Sequence, residues 1–396
     1  MSCLRRVYQG ILEDVTEENP HLVNPHEASA ADAASRPDEP PRDLAALGFT
    51  ERFEALFAPH RESGFIPARV SRIDRGQPLL LTGDGTVRAE LATHLRESGD
   101  VRIAVGDWVA LGHPEGHDLA IIEVILARSS AFIRKDPGEN TLGQVLVANI
   151  DTVFVVQSLF PRGPNLARLE RELVLAWGSG ARPVVVLTKA DLATDADAMR
   201  DEVAAVAFGV DVHVTSAVSG FGVNELVETY LGPGSTAAFF GASGVGKSTL
   251  VNELVGNDVA ETREVRGADG KGRHTTVARE MFFLPGGGIL IDTPGMRALA
   301  LWDAEDGIES TFPDIAGLAG ECRFADCSHV LEPGCAVRRA IDSGALAERR
   351  LESYIRLNEE LQRLGERQDV LARTQKKRED KVLAREIKRF NKNRGR

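Results

Sequence analysis

Between residues 237 and 255 an apolar run, a glycine-rich turn and a helical segment follow one another, and no other stretch of the 396-residue chain constrains its fold as much. The turn reads Gly241-Ala242-Ser243-Gly244-Val245-Gly246-Lys247-Ser248-Thr249 and fits the spacing G-x-x-x-x-G-K-[ST]. Its context, strand Ala237–Phe240 before and helix Leu250–Val255 after, is the one this spacing needs. The glycines let backbone N–H groups turn inward around phosphate oxygens, and the following helix offers its positive end to the same anion. Lys247 reaches the β- and γ-phosphates and the Ser248 hydroxyl serves Mg²⁺. The chain is therefore expected to contain an α/β domain with a largely parallel sheet.

Three further motifs fit the same domain. Gly288-Ile289-Leu290-Ile291-Asp292-Thr293-Pro294-Gly295 ends an apolar strand in an Asp suited to the Mg²⁺ shell, with Gly295 placed to offer its N–H near a γ-phosphate. Thr188-Lys189-Ala190-Asp191 follows the strand Pro183–Leu187. A carboxylate there accepts both the N1–H and the 2-amino hydrogens of guanine, a donor pair adenine lacks. The Lys189 stem packs along the base. Thr215-Ser216-Ala217, after Val212–Val214, offers backbone to the guanine O6. The order is unusual. The guanine motifs at 188–191 and 215–217 precede the phosphate loop, and the Asp-Thr-Pro-Gly element comes last, so the domain is circularly permuted. The segment after Gly295 then leads directly into the C-terminal region.

That region carries Cys322-x4-Cys327-x-His329-x5-Cys335, three thiols and an imidazole. The set suits one closed, tetrahedral structural Zn²⁺ site, stapling a domain without a large core. Free cysteines in a reducing compartment are the other reading. Further on, residues 361–396 hold thirteen Lys and Arg against five Asp and Glu, in a chain whose net charge is −12. The overall acidity excludes a protein that coats nucleic acid with its whole surface; the tail suggests a local anionic contact or, equally from charge alone, a solvated helical face.

The rest of the chain divides by texture. Residues 1–42 are acidic and weakly patterned and read as a disordered extension. Residues 43–63 carry a short amphipathic helix over 43–59, with Asp43 at its N-cap, and a linker. Residues 64–130 show short alternating runs and turn signals and read as a five-stranded all-β barrel of the OB type. In it Phe65 and Trp108 are nearly the only aromatics, too few to stack bases, and are expected in the core. Residues 131–313 form the permuted α/β domain and 314–396 a mostly helical zinc-binding domain with the basic tail. No secretory signal is evident, and no apolar run is long enough to span a membrane, so a cytoplasmic, membrane-free protein is expected.

With these motifs in this order, over about residues 64–360, the chain resembles the bacterial ribosome small-subunit-dependent GTPase A family. The resemblance implies a GTPase that binds the small ribosomal subunit and its rRNA as a monomer and assists late maturation, with GTP as substrate and Mg²⁺ and Zn²⁺ as cofactors. Gly272-Arg273-His274-Thr275-Thr276 is similar to the family's first switch, which implies that Thr276 touches Mg²⁺ and the γ-phosphate and that His274 takes part in hydrolysis. By it, too, the basic tail lies on rRNA phosphates. The chain departs from the family pattern at Thr188, where Asn is usual, at Val277, where a third Thr is common, and in its longer N-terminal extension. Met296 stands where many GTPases place a water-orienting Gln, so intrinsic hydrolysis is expected to be slow without a partner. Two alternatives stay open at this point: a phosphate-loop ATPase or small-molecule kinase, and a zinc/OB RNA-binding module whose affinity nucleotide tunes.

Overall fold

The computed structural model describes residues 43–74, 76–98, 102–113, 119–134, 144–256, 280–292 and 305–366. The chain divides into two units, Met1–Glu39 and Pro40–Arg396, and all described residues belong to the second.

The helix expected over 43–59 is interrupted. Residues 44–48 form a turn, Gly48 takes φ +86°, and α1 (Glu51–Arg61) starts only after Thr50. Glycine is required at 48, because a side chain would meet the Gly234 carbonyl at 2.7 Å and the Arg69 guanidinium at 2.8 Å. α1 buries Phe53 and Phe57 against Trp108, with Phe49 edge-on to the same indole at 4.8 Å. Trp108 is fully buried, so it is a core residue as its isolation in the sequence suggests.

The alternating runs fold into β1 (Ile66–Asp74), β2 (Gln77–Thr82), β3 (Gly85–Leu91), β4 (Trp108–Gly112) and β5 (Ala120–Ile125), with the short α2 (Thr93–Ser98) after β3. The strands pair in the order β1-β2-β3-β5-β4, and β4 returns to β1, closing a five-stranded barrel without free edges. Ala68 and Val70, Val109 and Leu111, and Ala120 and Ile122 point inward at a spacing of two, the period a pleated strand imposes.

A hairpin, β6 (Ala131–Arg134) with β7 (Gln144–Ala148), follows the barrel. The α/β domain then runs through β8 (Thr152–Ser158), α3 (Leu166–Gly178), β9 (Arg182–Thr188), α4 (Ala196–Ala204), β10 (Asp211–Val214), α5 (Val223–Tyr230), β11 (Thr236–Gly241), α6 (Lys247–Val255), β12 (Glu280–Phe283) and β13 (Ile289–Asp292). Sheet order is β10-β9-β8-β11-β13-β12, parallel except for β12. Both faces are covered, so each central strand splits its side chains between two cores. Val153 and Val155 enter one with Val185 and Leu187; Phe154 and Val156 enter the other with Val184 and Val186. β12 also meets β1 at Arg72↔Glu280, where the two side chains form a 3.0 Å ion pair.

The C-terminal helices are α7 (Glu305–Thr311), α8 (Pro313–Ala319), α9 (Ala336–Asp342) and α10 (348–366). Arg350 of α10 is buried and fastens them to the α/β domain. Its guanidinium donates to Glu170 of α3 at 3.1 Å, to Asp314 at 3.0 Å and to the carbonyls of Val206 and Thr311, and lies 4.3 Å from the Phe312 ring centroid. Among the described residues no helix is long and apolar enough to cross a membrane.

Candidate nucleotide site and cysteine cluster

Because β8, β9, β11 and β13 are parallel, their carboxyl ends gather at one edge of the sheet, where open α/β sheets bind ligands. The phosphate-loop motif begins there. Gly241 pairs with Val156 of β8, and a side chain at Gly241 would stand 2.4 Å from the Val156 carbonyl, so only glycine allows β8 and the loop to approach. α6 starts at Lys247, after Gly246 in the left-handed region. The Lys247 ammonium donates to the carbonyls of Gly241 at 2.9 Å and of Ala242. Both are neutral acceptors that a phosphate oxygen, a stronger one, would displace. Ser248 is half-buried and Thr249 exposed on the first turn of α6. Asp292 ends β13, the strand beside β11.

The guanine motifs come to the same edge from two other loops. Lys189, with φ +62°, reaches back so that its ammonium donates to the Gly244 carbonyl at 2.8 Å. The Ala190 N–H donates to the Thr215 carbonyl at 3.1 Å, and the Ser216 hydroxyl donates to Asp191 Oδ1 at 2.6 Å. Asp191 is exposed and Ala217 half-buried beside it. Thr188, the departure from the usual Asn, is buried. Its hydroxyl contacts the Gln157 carbonyl at 3.2 Å and the Val245 carbonyl of the phosphate loop. It stands 3.3 Å from where a side chain at Gly246 would begin. A short β-branched hydroxyl thus ties strand end to loop where a longer amide would also have to fit.

Sequence patterns missed the layer beneath. Gln157 Nε2 donates to Glu172 Oε2 at 2.6 Å, and Arg168 Nε donates to Glu172 Oε1 at 3.1 Å. Burial raises the Glu172 carboxyl above its ordinary range, against the opposing pull of Arg168, Gln157 and Lys247. A cavity of about 340 Å³ opens here, lined by Asn165, Arg168, Glu172, Gly241, Arg356 and Glu360 among others. A lone Gln and a Glu inside an amphipathic helix carry no spacing signal, so only the fold brings them together.

The cysteine cluster assembles as its spacing suggested. The ligand atoms of Cys322, Cys327, His329 and Cys335 all lie within 4.8 Å of one another. Cys322 Sγ is 3.9 Å from Cys335 Sγ, and His329 Nδ1 is 3.7 Å and 3.5 Å from them. Ligands at zinc distances from a common centre stand roughly 3.5–3.8 Å apart, so the donor set and its spacing fit a tetrahedral metal ion. The Ala336 and Arg338 N–H groups of α9 point at the Cys322 and Cys335 sulfurs, at 3.3 and 3.4 Å. Burial works against the Cys322 thiolate, but the N–H groups of Ala336 and Val337 and the neighbouring thiols hold that thiol below its usual value. Burial also lowers His329, favouring the neutral imidazole a metal needs. Glu332, another residue outside the motifs, accepts from the N–H groups of Ser328, Val330 and Leu331 at 3.0–3.1 Å and from the Ser328 hydroxyl. The Ser328 hydroxyl and the N–H groups of Glu332 itself, Ser328 and Leu331 pull its carboxyl down to about 2.

His274, Thr276, Val277, Gly295, Met296, the basic tail from 367 and the acidic extension 1–42 lie outside the described residues.

Fold, motif order and converging loops define a circularly permuted phosphate-loop GTPase. Residues 125–302 match the RsgA GTPase family. Over 85% of its length the chain is 45% identical to the small ribosomal subunit biogenesis GTPase RsgA of Streptomyces coelicolor, covering 92% of that protein. It is 41% identical to the protein of the same name from Syntrophotalea carbinolica, over 88% of this chain and 98% of that one. The crystal structure of YjeQ from Thermotoga maritima aligns with a TM-score of 0.57 at 28% identity, covering 75% of this chain and 98% of that one. YloQ, described as a circularly permuted GTPase, aligns with a TM-score of 0.53 at 24% identity over 74% and 94%, a likeness of fold. The chain belongs to the RsgA GTPase family and is a GTP hydrolase.

Proposed function

We propose that this GTPase binds the small ribosomal subunit, assists its late maturation and hydrolyses GTP to GDP and phosphate when docked. The observation that carries the chemistry is the convergence of Thr188–Asp191, Ser216 and Gly241–Thr249 on one sheet edge. The partner follows from the names of relatives that this chain matches over most of their length.

In this reading Asp191 accepts the two donors of guanine, steadied by Ser216, while Lys189 covers the base and Ala217 offers backbone to O6. The N–H groups of Gly241–Gly246 and the Lys247 ammonium hold the phosphates and stabilise charge on the transferring phosphoryl. Ser248, Thr276 and Asp292 are the residues that would hold Mg²⁺, which would supply charge neutralisation for the phosphoryl transfer. Gly295 faces the γ-phosphate and His274 assists the attacking water, the place Met296 cannot fill. Cys322, Cys327, His329 and Cys335 hold one structural Zn²⁺, which ties down the loop ahead of α9. The basic tail lies on rRNA phosphates, contributing affinity without reading bases. The protein works as a cytoplasmic monomer.

The test is GTP turnover with and without isolated small ribosomal subunits, with ATP in parallel. Strong stimulation of GTP hydrolysis alone is expected. ATP turned over or bound as well as GTP would favour an ATPase or kinase. Turnover indifferent to the subunit, with no co-sedimentation in any nucleotide state, would remove the ribosome from the account. An RNA-binding module merely tuned by nucleotide would release normally after Lys247→Ala; the proposed enzyme would stay trapped.

A further inference from the structure

Beneath the phosphate loop the core is polar where an apolar one would pack. The side chain of Glu172 is 5% exposed and Gln157 is 3% exposed, beside a core to which β8 gives Val153 and Val155 and α3 gives Leu169, Leu173 and Ala176. Burying a carboxylate costs several kcal/mol even when it is paired, and an apolar pair of similar volume would hold the interface at least as well. Packing therefore does not account for the pair, whereas its contacts suggest a use.

Gln157 is a junction. Its amide donates to Glu172 at 2.6 Å and accepts from the Asn165 N–H, at the N-cap of α3, at 3.3 Å. Its main-chain carbonyl meets the Thr188 hydroxyl at 3.2 Å, and that hydroxyl touches the Val245 carbonyl inside the phosphate loop. One residue earlier, Val156 pairs with Gly241, where the loop begins. The end of β8 thus supports the loop at both its start and its middle. Glu172 is anchored in turn by Arg168, lies in the field of Lys247 and lines the cavity that reaches Gly241. Its neighbour Arg171 pairs with Glu360 of α10 at 3.0 Å.

We propose that Gln157 and Glu172 are positioning residues for GTP turnover, a polar relay that fixes the end of β8 and, through Thr188, the phosphate loop against α3. The relay contacts no nucleotide itself. It sets where the loop N–H groups stand, and a misplacement of about 1 Å in such a constellation costs about a hundredfold in rate. The inference rests on the assignment of 241–249 to the phosphates.

The experiment uses the full chain and compares melting temperature, GDP affinity, and kcat and KM for GTP in the parent, in a set of variants and in the single changes they combine. The apolar pair Gln157→Leu with Glu172→Leu should melt no lower than the parent, yet lose about tenfold or more in kcat, with a smaller change in KM. Glu172→Gln, which keeps an acceptor for the Gln157 amide, should turn over close to the parent. If the leucine pair fails to fold, Gln157→Met, of similar volume but without the amide, carries the same expectation. Thr188→Val joined to Gln157→Leu should lose no more than the worse single change, because both break one relay. Parental kcat in a folded leucine pair or in Gln157→Met, or losses at 157 and 188 that multiply as independent sites, would overturn the relay. A Lys247→Ala control separates the two levels. If it hydrolyses GTP normally, the phosphate-loop assignment fails; if it is inactive while the leucine pair is not impaired, the relay alone fails.

Discussion

Ser216 donates its hydroxyl to Asp191 Oδ1 across 2.6 Å, although the two residues belong to different loops, after β10 and β9. The bond engages one oxygen of an exposed carboxylate and leaves the rest of its acceptor capacity facing outward. A carboxylate fixed in this way matches the adjacent N1–H and 2-amino donors of guanine. Xanthine carries a carbonyl where guanine carries the amino group, so Asp191→Asn should weaken GTP and strengthen binding of xanthosine triphosphate. Ser216→Ala should weaken GTP and GDP alike by about tenfold, the worth of a charge-assisted hydrogen bond, leaving both preferred to xanthosine triphosphate. Competition binding with the three nucleotides checks both. Unchanged preference in Asp191→Asn would remove Asp191 from base selection.

Thr188 makes a second prediction. Its hydroxyl has one proton to offer and two buried carbonyls within reach, and Thr188→Val keeps the shape while removing that donor. Stability should fall by about 1–3 kcal/mol, and GDP affinity with it, whereas Thr188→Ser should retain most of both. Chemical denaturation and GDP titration on the same samples read the two effects. A silent valine variant would mean that loop and strand are held by their backbone alone.

The contrast between what was legible and what was not follows from locality. The phosphate loop, the alternating barrel strands and the cysteine spacing are patterns within short windows, and the fold shows each where the pattern put it. The split of residues 43–59 into a turn and α1 was hidden, because it depends on Gly48 meeting Gly234 and Arg69, contacts made only in the fold. Arg69 likewise looks like one more charge in β1. In the fold it is fully buried, donates to the carbonyls of Leu47 and Asn149, and is pushed down to about 10 by burial against the pull of Asp151 and Asp107. Gln157, Glu172 and Glu332 were invisible for the same reason. Each is a common polar residue whose meaning comes from partners brought to it by the fold.

Arg350 gives a third prediction, on how the C-terminal helices stay attached. Its side chain is 3% exposed and pairs with the fully buried Glu170 and with Asp314, so removing Arg350 takes from both carboxylates the guanidinium they share. Arg350→Ala should cost about 3–5 kcal/mol. Replacing Arg350 by Met together with Glu170 by Gln should cost clearly less, because the fully buried carboxylate goes with its partner and only the less buried Asp314 loses one. Melting temperatures of the three proteins decide; an alanine variant as stable as the parent would mean that these contacts hold nothing.

The cysteine cluster should behave as a folding element. Chelation of bound metal, or Cys322→Ser, should loosen residues 320–334 while leaving α9 in place, since Cys335 and Val337 sit in the large core but the loop ahead of them has little core of its own. Hydrogen exchange before and after chelation reads this directly. Metal affinity should fall as pH falls, because thiolates and imidazole must lose protons to bind.

Glu332 holds the same loop by a different means, and its pH dependence has a definite sign. Its carboxyl titrates at about 2 in the folded loop against an ordinary value of 4.5. The charged form is therefore favoured by folding. Its contribution is complete above pH 4.5 and fades as pH falls from there towards about 2. Glu332→Gln should melt below the parent by a constant margin from pH 8 to pH 5.5, and that margin should narrow once the pH drops through roughly 4.5. Both proteins are measured with the same excess of zinc, so that protonation of the cysteines and His329 enters both curves alike. A margin that stays constant down to about pH 3 would show that the loop is held by the length of the side chain rather than by its charge.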